Sequence, residues 1–140
     1  MSYSERTLTA ELSKFLRKNP RANEVRFSFV CELKVKKGKQ KLNLTKDFQP
    51  HQIPNLIKVV TGCLYHKISD MGTGFKPFDC FNICNTPAFV GVLWYTPRKP
   101  RFLYLLDVRD IDFMMKNKVK SISKEDAEKN CIFKLDLKTA

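Results

Sequence analysis

Two side chains placed two residues apart, Glu32 and Lys34, are the pair in this sequence best suited to chemistry. Apolar and polar residues alternate from residue 26 to residue 36, which predicts a β-strand with one buried and one polar face. Because residues two apart on a strand share a face, the two side chains are expected to project together from the polar side. A carboxylate can ligate a divalent cation, and a neighbouring ammonium group can hold an attacking water or stabilise charge on a phosphate. The pair therefore fits the hydrolysis of a phosphodiester.

A plainer interpretation of the same pair is a solvated ion pair on the outer face of the strand, since Glu-x-Lys arises by chance in many basic proteins. Hydrolysis with Mg²⁺ needs at least one more carboxylate, because this ion prefers an octahedron of oxygen ligands. The sequence offers Asp79, in the segment Lys76-Pro77-Phe78-Asp79, and Glu11. Each also has a plainer interpretation, Asp79 as an acid of a turn or strand edge and Glu11 as an acid on a helix surface.

The segments that follow the pair set it in a characteristic order. After the strand come Leu42-Asn43-Leu44, and then His51-Gln52 before an apolar stretch. A nearly continuous apolar strand follows at residues 88–95, and a second one at residues 102–106. Over residues 8–113, by order and pattern, the chain resembles the PD-(D/E)XK nuclease superfamily and, within it, the RecU-like Holliday junction resolvases. The glutamate-x-lysine motif and the histidine-glutamine helix start carry the most specific part of this resemblance.

The resemblance implies a restriction-endonuclease-like α/β fold, in which helices flank a mixed central sheet, and a metal-dependent endonuclease that cleaves branched DNA. The implied cofactor is Mg²⁺ or Mn²⁺. A four-way junction has pseudo-twofold symmetry, so a homodimer that cuts two strands is expected. The resemblance implicates six residues. Glu32, Asp79 and the backbone carbonyl of Leu33 would be metal ligands. Lys34 would position the attacking water, and Gln52 and Glu11 would support the site.

One feature departs from the pattern of that family. The family's metal-binding aspartate normally lies shortly before the glutamate-x-lysine strand, whereas residues 22–28 contain no aspartate. Asp79 resembles the same Pro-Asp motif displaced in the sequence. We therefore expect a strand carrying Asp79 to lie beside Glu32; without that contact the chain would be a binding relative that lacks catalysis.

The elements that position the pair can be predicted from apolar spacing. Helices are expected at residues 9–17, 49–60 and after Ser123, with a helical turn at 110–116 and a mobile loop at 67–76. Strands are expected at residues 26–36, 41–45, 78–83, 88–95, 102–108 and 132–137. The strand at 41–45 can return beside that at 26–36, and those at 88–95 and 102–108 form a hairpin. This order predicts one α/β domain, residues 1–140, around a mixed sheet.

The charge of the chain narrows the class of partner. Its 140 residues include 26 lysines and arginines against 14 acidic residues, a formal net charge of +12. Such a field favours phosphate polyanions, whose neutralisation releases condensed counterions, although an anionic membrane surface or an acidic protein would also satisfy it. The side chains expected to contact phosphates lie in two basic turns and one loop: Lys36, Lys37, Lys39, Lys76, Arg98, Lys99 and Arg101.

Targeting and redox features point to the interior of a cell. No apolar run approaches the roughly 20 residues of a membrane span. Residues 1–10 are polar and hold no signal core, so we expect no membrane partner and a cytoplasmic protein of cellular or viral origin. The five cysteines have no framework spacing, which favours reduced thiols. A zinc site of Cys80 and Cys84 with His51 or His66 is the weaker alternative, since the spacing matches no standard module.

Two other classes of function stay open on the sequence alone. The basic surface also suits a non-catalytic nucleic-acid-binding protein of the same fold, or a phage-type regulator that binds an acidic protein. Metal dependence separates the nuclease from both. A steep loss of affinity with rising salt concentration favours the nuclease or the non-catalytic nucleic-acid-binding protein over a regulator that binds only protein.

Overall fold

The computed structural model describes residues 3–18, 29–67 and 80–138. Within those ranges the chain forms four helices and eight strands, a mixed α/β fold. The helices are α1 (Glu5–Lys18), α2 (Gln52–Thr61), α3 (Val108–Lys116) and α4 (Lys124–Asn130). The strands are β1 (Val30–Lys37), β2 (Leu42–Asn43), β3 (Cys63–Lys67), β4 (Cys80–Cys84), β5 (Ala88–Tyr95), β6 (Phe102–Asp107), β7 (Ser121–Ile122) and β8 (Phe133–Asp136).

Four of the strands form the central sheet, in the order β1-β5-β6-β8. β1 and β5 are parallel, while β6 is antiparallel to both of its neighbours, so the predicted mixed sheet is confirmed. The predicted hairpin of β5 and β6 is confirmed as well. A parallel pair needs a crossover connection, and α2 with strands β3 and β4 provides it. This topology leaves β1, the strand of Glu32 and Lys34, at one edge of the sheet.

Helices cover both faces of the central sheet. α1 packs on one face through Leu8, Leu12 and Phe15, whose spacing of four and three residues puts them on one side of the helix. The opposite face is covered by α2, α3 and α4, and its core includes Val92 and Trp94 of β5. Because both faces are covered, β5 is buried along nearly its whole length, as its unbroken apolar sequence predicts.

The helix ends follow the capping residues in the sequence. α3 starts earlier than the helical turn predicted at 110–116, because the side chain of Asp107 accepts a hydrogen bond from the Arg109 amide at 2.8 Å. α4 begins after Ser123, as predicted, with a capping box that pairs Ser123 and Asp126. α2 tolerates Pro54 in its first turn, where backbone amides have no helical acceptor. No helix among residues 3–18, 29–67 and 80–138 is long and apolar enough to cross a membrane.

The segment predicted to return beside β1 follows a different path. β2 covers only Leu42–Asn43 and pairs antiparallel with β7, forming a two-stranded ribbon separate from the central sheet. The prediction of a β1 partner at residues 41–45 is therefore wrong. The physical reason is burial: Leu42 and Leu44 are 0% and 1% exposed in the core under α2, so the segment crosses the face of the sheet instead of extending its edge.

A second ribbon, of β3 and β4, contains a strand that the apolar pattern did not predict, Cys63–Lys67. Its register places Cys63 opposite Cys84, and the two sulfurs form a disulfide. The expectation of reduced thiols is wrong for this pair, because the strand pairing brings together two cysteines that stand 21 residues apart in the sequence. The disulfide also removes Cys84 from the alternative zinc site. Beyond Lys67, which ends β3, the predicted loop at 67–76 lies outside the described residues.

Candidate functional site

Glu32 and Lys34 project from the same face of β1, as their spacing predicts. Their Oε1 and Nζ atoms are 2.9 Å apart. The Lys34 side chain is only 11% exposed and that of Glu32 is 26% exposed. Lys34 is the one buried charged residue in the part of the chain that the structure describes. A solvated surface ion pair, the plainer interpretation of the motif, therefore does not describe this lysine.

Gln52, the first residue of α2, joins the pair from the neighbouring helix. Its Nε2 donates a hydrogen bond to Glu32 Oε1 at 2.8 Å, and its Oε1 accepts bonds from the Gln49 amide at 2.9 Å and from Lys34 Nζ at 3.4 Å. Both ends of the amide are thus engaged, which fixes its orientation. The helix carries no acid in its own first turn, so Glu32 also brings negative charge to the positive end of α2. His51, just before Gln52, is exposed.

An aromatic ring closes the buried side of Lys34. Its Nζ lies 5.3 Å from the centroid of Phe48, which is itself 8% exposed. Burying an ammonium group is costly unless partners compensate for its lost hydration. Here the compensation comes from Glu32, Gln52 and the face of the ring. We expect a lysine so enclosed to be held in one orientation.

The helical glutamate that approaches the pair is Glu5 instead of Glu11. A carboxylate oxygen of Glu5 lies 3.9 Å from Lys34 Nζ, and the Glu5 side chain is 54% exposed. Glu11 lies elsewhere: it forms an ion pair with Arg101 at 2.5 Å and accepts a hydrogen bond from the Tyr3 hydroxyl at 2.6 Å. Sequence reasoning missed Glu5 because it placed the start of the helix at residue 9. Two signals mark the earlier start: the Ser4 hydroxyl accepts a hydrogen bond from the Thr7 amide at 3.3 Å, and Leu8 is buried.

The oxygen atoms that could receive a divalent cation are partly in place. The backbone amides of Val30 and Gly38 both form hydrogen bonds toward β5. Because the backbone groups of successive residues in a strand alternate in direction, those of the odd-numbered residues between them point away from β5. The Leu33 carbonyl therefore lies on the side of β1 that pairs with no other strand among the described residues. The predicted ligand Asp79 lies outside the described residues, as does Lys76. Among the residues that are described, no group of three or more His, Cys, Asp or Glu side chains could hold a metal ion.

The basic residues predicted to contact phosphates divide into two kinds. Lys36 is paired with Asp47 at 2.8 Å, and Arg101 is paired with Glu11. The other four that are described are exposed. Because β1 and β5 are parallel and Lys37 stands opposite Tyr95, the turns that follow these two strands lie at the same end of the sheet. The exposed cations of these two turns are Lys37, Lys39, Arg98 and Lys99.

The thiol next to the pair is not a candidate nucleophile. Cys31 faces the core under α1, on the side of β1 opposite to Glu32 and Lys34. Burial raises the pKa of its thiol to about 12, so the thiol stays protonated at neutral pH. The chemistry available at this site is therefore that of carboxylate, ammonium and amide groups.

The chain matches no protein-family model, and no significant similarity connects it to a curated protein or to a solved structure.

Proposed function

We propose that this chain is a divalent-metal-dependent endonuclease that acts on DNA, and that its substrate is branched, of the four-way-junction type. The observation that carries the proposal is the buried Lys34, held between Glu32, Gln52 and Glu5 on one face of β1, the outer strand of the described central sheet. The two exposed basic turns at the end of that strand supply the positive surface that such a substrate requires. The proposed fold is restriction-endonuclease-like, with the four-stranded mixed sheet as its core.

Each group of the site has a role in this proposal. Glu32 and the Leu33 carbonyl, together with Asp79, would hold the cation, which when bound supplies Lewis-acid stabilisation of the phosphate. Lys34 donates a hydrogen bond to the attacking water or to a non-bridging phosphate oxygen. The water oxygen forms the new bond to phosphorus as the bond to the leaving oxygen breaks, and the proton that the water loses passes through solvent to that leaving oxygen. Gln52 orients the Glu32 carboxylate, and Glu5 balances the charge of Lys34 from its exposed side.

A homodimer is part of the proposal because a four-way junction presents two equivalent strands related by a pseudo-twofold axis. A dimer with one site in each protomer would cut both. The proposal of a homodimer rests on the resemblance in the sequence and on the symmetry of the junction. The junction-cleavage assay described below tests it, since two coupled cuts release linear duplexes.

One observation favours a second candidate, a nucleic-acid-binding protein without catalysis. Oε1 of Glu32 already bonds to both Lys34 and Gln52, and the described residues alone provide no three-ligand metal group. In this second case Glu32, Lys34 and Gln52 would have a structural role that stabilises β1, while the two basic turns would bind the sugar-phosphate backbone of the nucleic acid.

The deciding experiment measures cleavage of a labelled four-way junction and of a matched linear duplex with Mg²⁺, Mn²⁺ or EDTA. We expect cleavage of the junction that needs metal and that falls at least about a hundredfold in Glu32→Gln, Lys34→Met and Asp79→Asn, the range that single catalytic groups supply. Two glutamates of the same helix provide a matched comparison: Glu5→Gln should slow cleavage, and Glu11→Gln should not.

The outcomes separate the two candidates. Junction binding without cleavage under any metal would leave the binding protein as the function. Cleavage that survives in Glu32→Gln would place the active groups elsewhere in the chain. A thermal melt of each variant shows whether a loss of activity reflects a loss of folding.

A further inference from the structure

The ribbon of β2 and β7 is bordered by exposed lysines on both of its strands. Lys41 precedes β2 and Lys46 follows it, while Lys118 and Lys120 precede β7. The strands are in direct contact, since Leu42 pairs with Ile122 and the Leu44 amide donates to the Lys120 carbonyl at 2.9 Å. We refer to these four side chains as the ribbon lysines.

The ribbon lysines have no ionic partner among the described residues, where every ion pair involves other cations. The acid nearest to them along β2, Asp47, is already engaged: it accepts hydrogen bonds from Lys36 Nζ at 2.8 Å and from the Asn43 amide at 2.7 Å. Hydrogen bonds from Ser123 lower the pKa of Asp126, in the first turn of α4, and the nearby charge of Lys41 lowers it further, although the two form no ion pair. The ribbon lysines are thus only partly balanced from within the described residues, and an external polyanion is the natural counterpart of the remaining charge.

Lys118 occupies a position where a lysine costs stability. α3 ends in a Schellman motif, in which the Val119 amide donates to the Met114 carbonyl at 2.9 Å and the Lys118 amide to the Met115 carbonyl at 3.1 Å. This motif needs a left-handed residue, usually glycine, and Lys118 has φ of 60°. Arg98, in the turn after β5, has φ of 62°. Two exposed basic side chains thus stand in a strained backbone conformation, which is a recurrent feature of functional surfaces.

The ribbon continues from the candidate site. Asp47 connects it to Lys36, which projects from the same face of β1 as Lys34, and Phe48 packs against Lys34 itself. At the other end, Gln40 accepts a hydrogen bond from Trp94 Nε1 at 2.7 Å, which fixes the start of the ribbon against β5. A sugar-phosphate backbone that leaves the candidate site along this surface would contact the ribbon lysines next.

We propose that the ribbon lysines bind the sugar-phosphate backbone of a duplex arm as it leaves the Glu32–Lys34 site, and that Lys118 is held in its left-handed conformation to present its charge there. This inference rests on the proposed function in so far as it takes nucleic acid to be the partner. It does not depend on cleavage, because backbone phosphates are contacted whether or not the strand is cut.

The test uses the binding of a fluorescently labelled duplex to the full chain in EDTA, over a range of salt concentrations. For Lys118→Gly combined with Lys120→Gln we expect the dissociation constant to rise about 10- to 50-fold at 0.1 M salt, and the slope of log affinity against log salt to fall by about two. The control is Lys58→Gln combined with Lys14→Gln, which removes the same charge from the last turn of α2 and from α1 and should change affinity far less.

A second readout separates a binding role from a structural one. Lys118→Gly alone should raise Tm by about 3 °C, because glycine accepts the left-handed conformation, and yet it should weaken binding. Asn85→Gly relieves the same backbone conformation, φ of 46°, at the opposite end of the sheet, and it should leave binding unchanged.

Several results would overturn the inference. Equal loss of affinity in the ribbon variant and in its charge-matched control would mean that the ribbon lysines contribute only to the overall positive charge of the protein and form no specific binding site. Preferential loss of binding to polyglutamate, with duplex binding intact, would assign the ribbon to an acidic protein. Failure of the wild type to bind any duplex would instead remove the proposed function.

Discussion

At the scale of single residues, the burial of Lys34 changes the meaning of a common sequence motif. A strand period of two predicts that Glu32 and Lys34 share a face, and they do. The sequence could not show that Gln52 would reach both of them, because that contact depends on how α2 crosses over β1. It also pointed to Glu11 where the structure brings Glu5 to the lysine, because a helix predicted to begin at residue 9 leaves out its capping residue, Ser4, and its first buried position, Leu8.

Gly91 offers a test of how tightly the strand behind the site is packed. A Cβ atom at this position would lie 2.7 Å from Leu33 Cδ2, 3.0 Å from Cys31 Sγ and 3.1 Å from Leu105 Cδ2. Gly91→Ala should therefore lower the free energy of unfolding by about 1 to 3 kcal/mol, through overpacking. Urea unfolding measures this change.

The contact with Leu33 provides the control for that experiment. In a Leu33→Ala background the closest obstacle is gone, so the same Gly91→Ala change should cost less. An equal cost in both backgrounds would mean that the side chain of Leu33 is not what limits the space.

At the scale of elements, the sequence predicts strands better than it predicts their partners. β5 and β6 pair as expected because a short turn joins them. Apolar spacing predicts β2 beside β1, whereas β2 pairs with β7, which stands nearly 80 residues further along the chain. β3 was not predicted at all. Such pairings depend on which apolar residues the core must bury, and local periodicity does not contain that information.

The β3–β4 ribbon yields a prediction through its disulfide. Closing a loop of this length restricts the unfolded chain, so reduction, or Cys63→Ser with Cys84→Ser, should lower the free energy of unfolding by about 3 kcal/mol. Urea unfolding with and without reductant measures the effect, and the intact mass shows whether the bond is present. The double serine variant should no longer respond to reductant. Identical unfolding curves for the oxidised and reduced wild type would contradict the prediction.

At the scale of the whole molecule, the sequence sets the class of the fold and the sign of its charge, while the structure sets where the charge lies. The order of elements predicts a mixed α/β domain, and the net charge of +12 predicts an anionic partner. The parallel pairing of β1 with β5 then brings two basic turns, far apart in the sequence, to one end of the sheet. No property of either turn alone predicts that proximity.

The folded molecule should lose stability at high pH. Burial raises the pKa of Tyr3, and the hydrogen bond from its hydroxyl to Glu11 raises this pKa further. Burial also raises the pKa of Tyr104, and it raises the pKa of Cys31 to about 12. Above about pH 9 the unfolded chain therefore releases protons that the folded chain retains, and the free energy of unfolding falls as pH rises. The urea midpoint should be lower at pH 10.5 than at pH 8. Tyr3→Phe should reduce the difference, and a midpoint independent of pH over this range would contradict the assignment.

Trp94 is the single tryptophan of the chain, and it lies at the start of the ribbon. Its indole is 4% exposed, donates its N–H to the Gln40 carbonyl, and packs edge-on against Tyr104. When light beyond the absorption band of the four tyrosines is used for excitation, the fluorescence of the protein therefore comes from one fixed point between the central sheet and the ribbon. Any ligand that shifts the ribbon will change the wavelength or intensity of that emission, so the unlabelled protein carries its own optical probe of the surface beside the site.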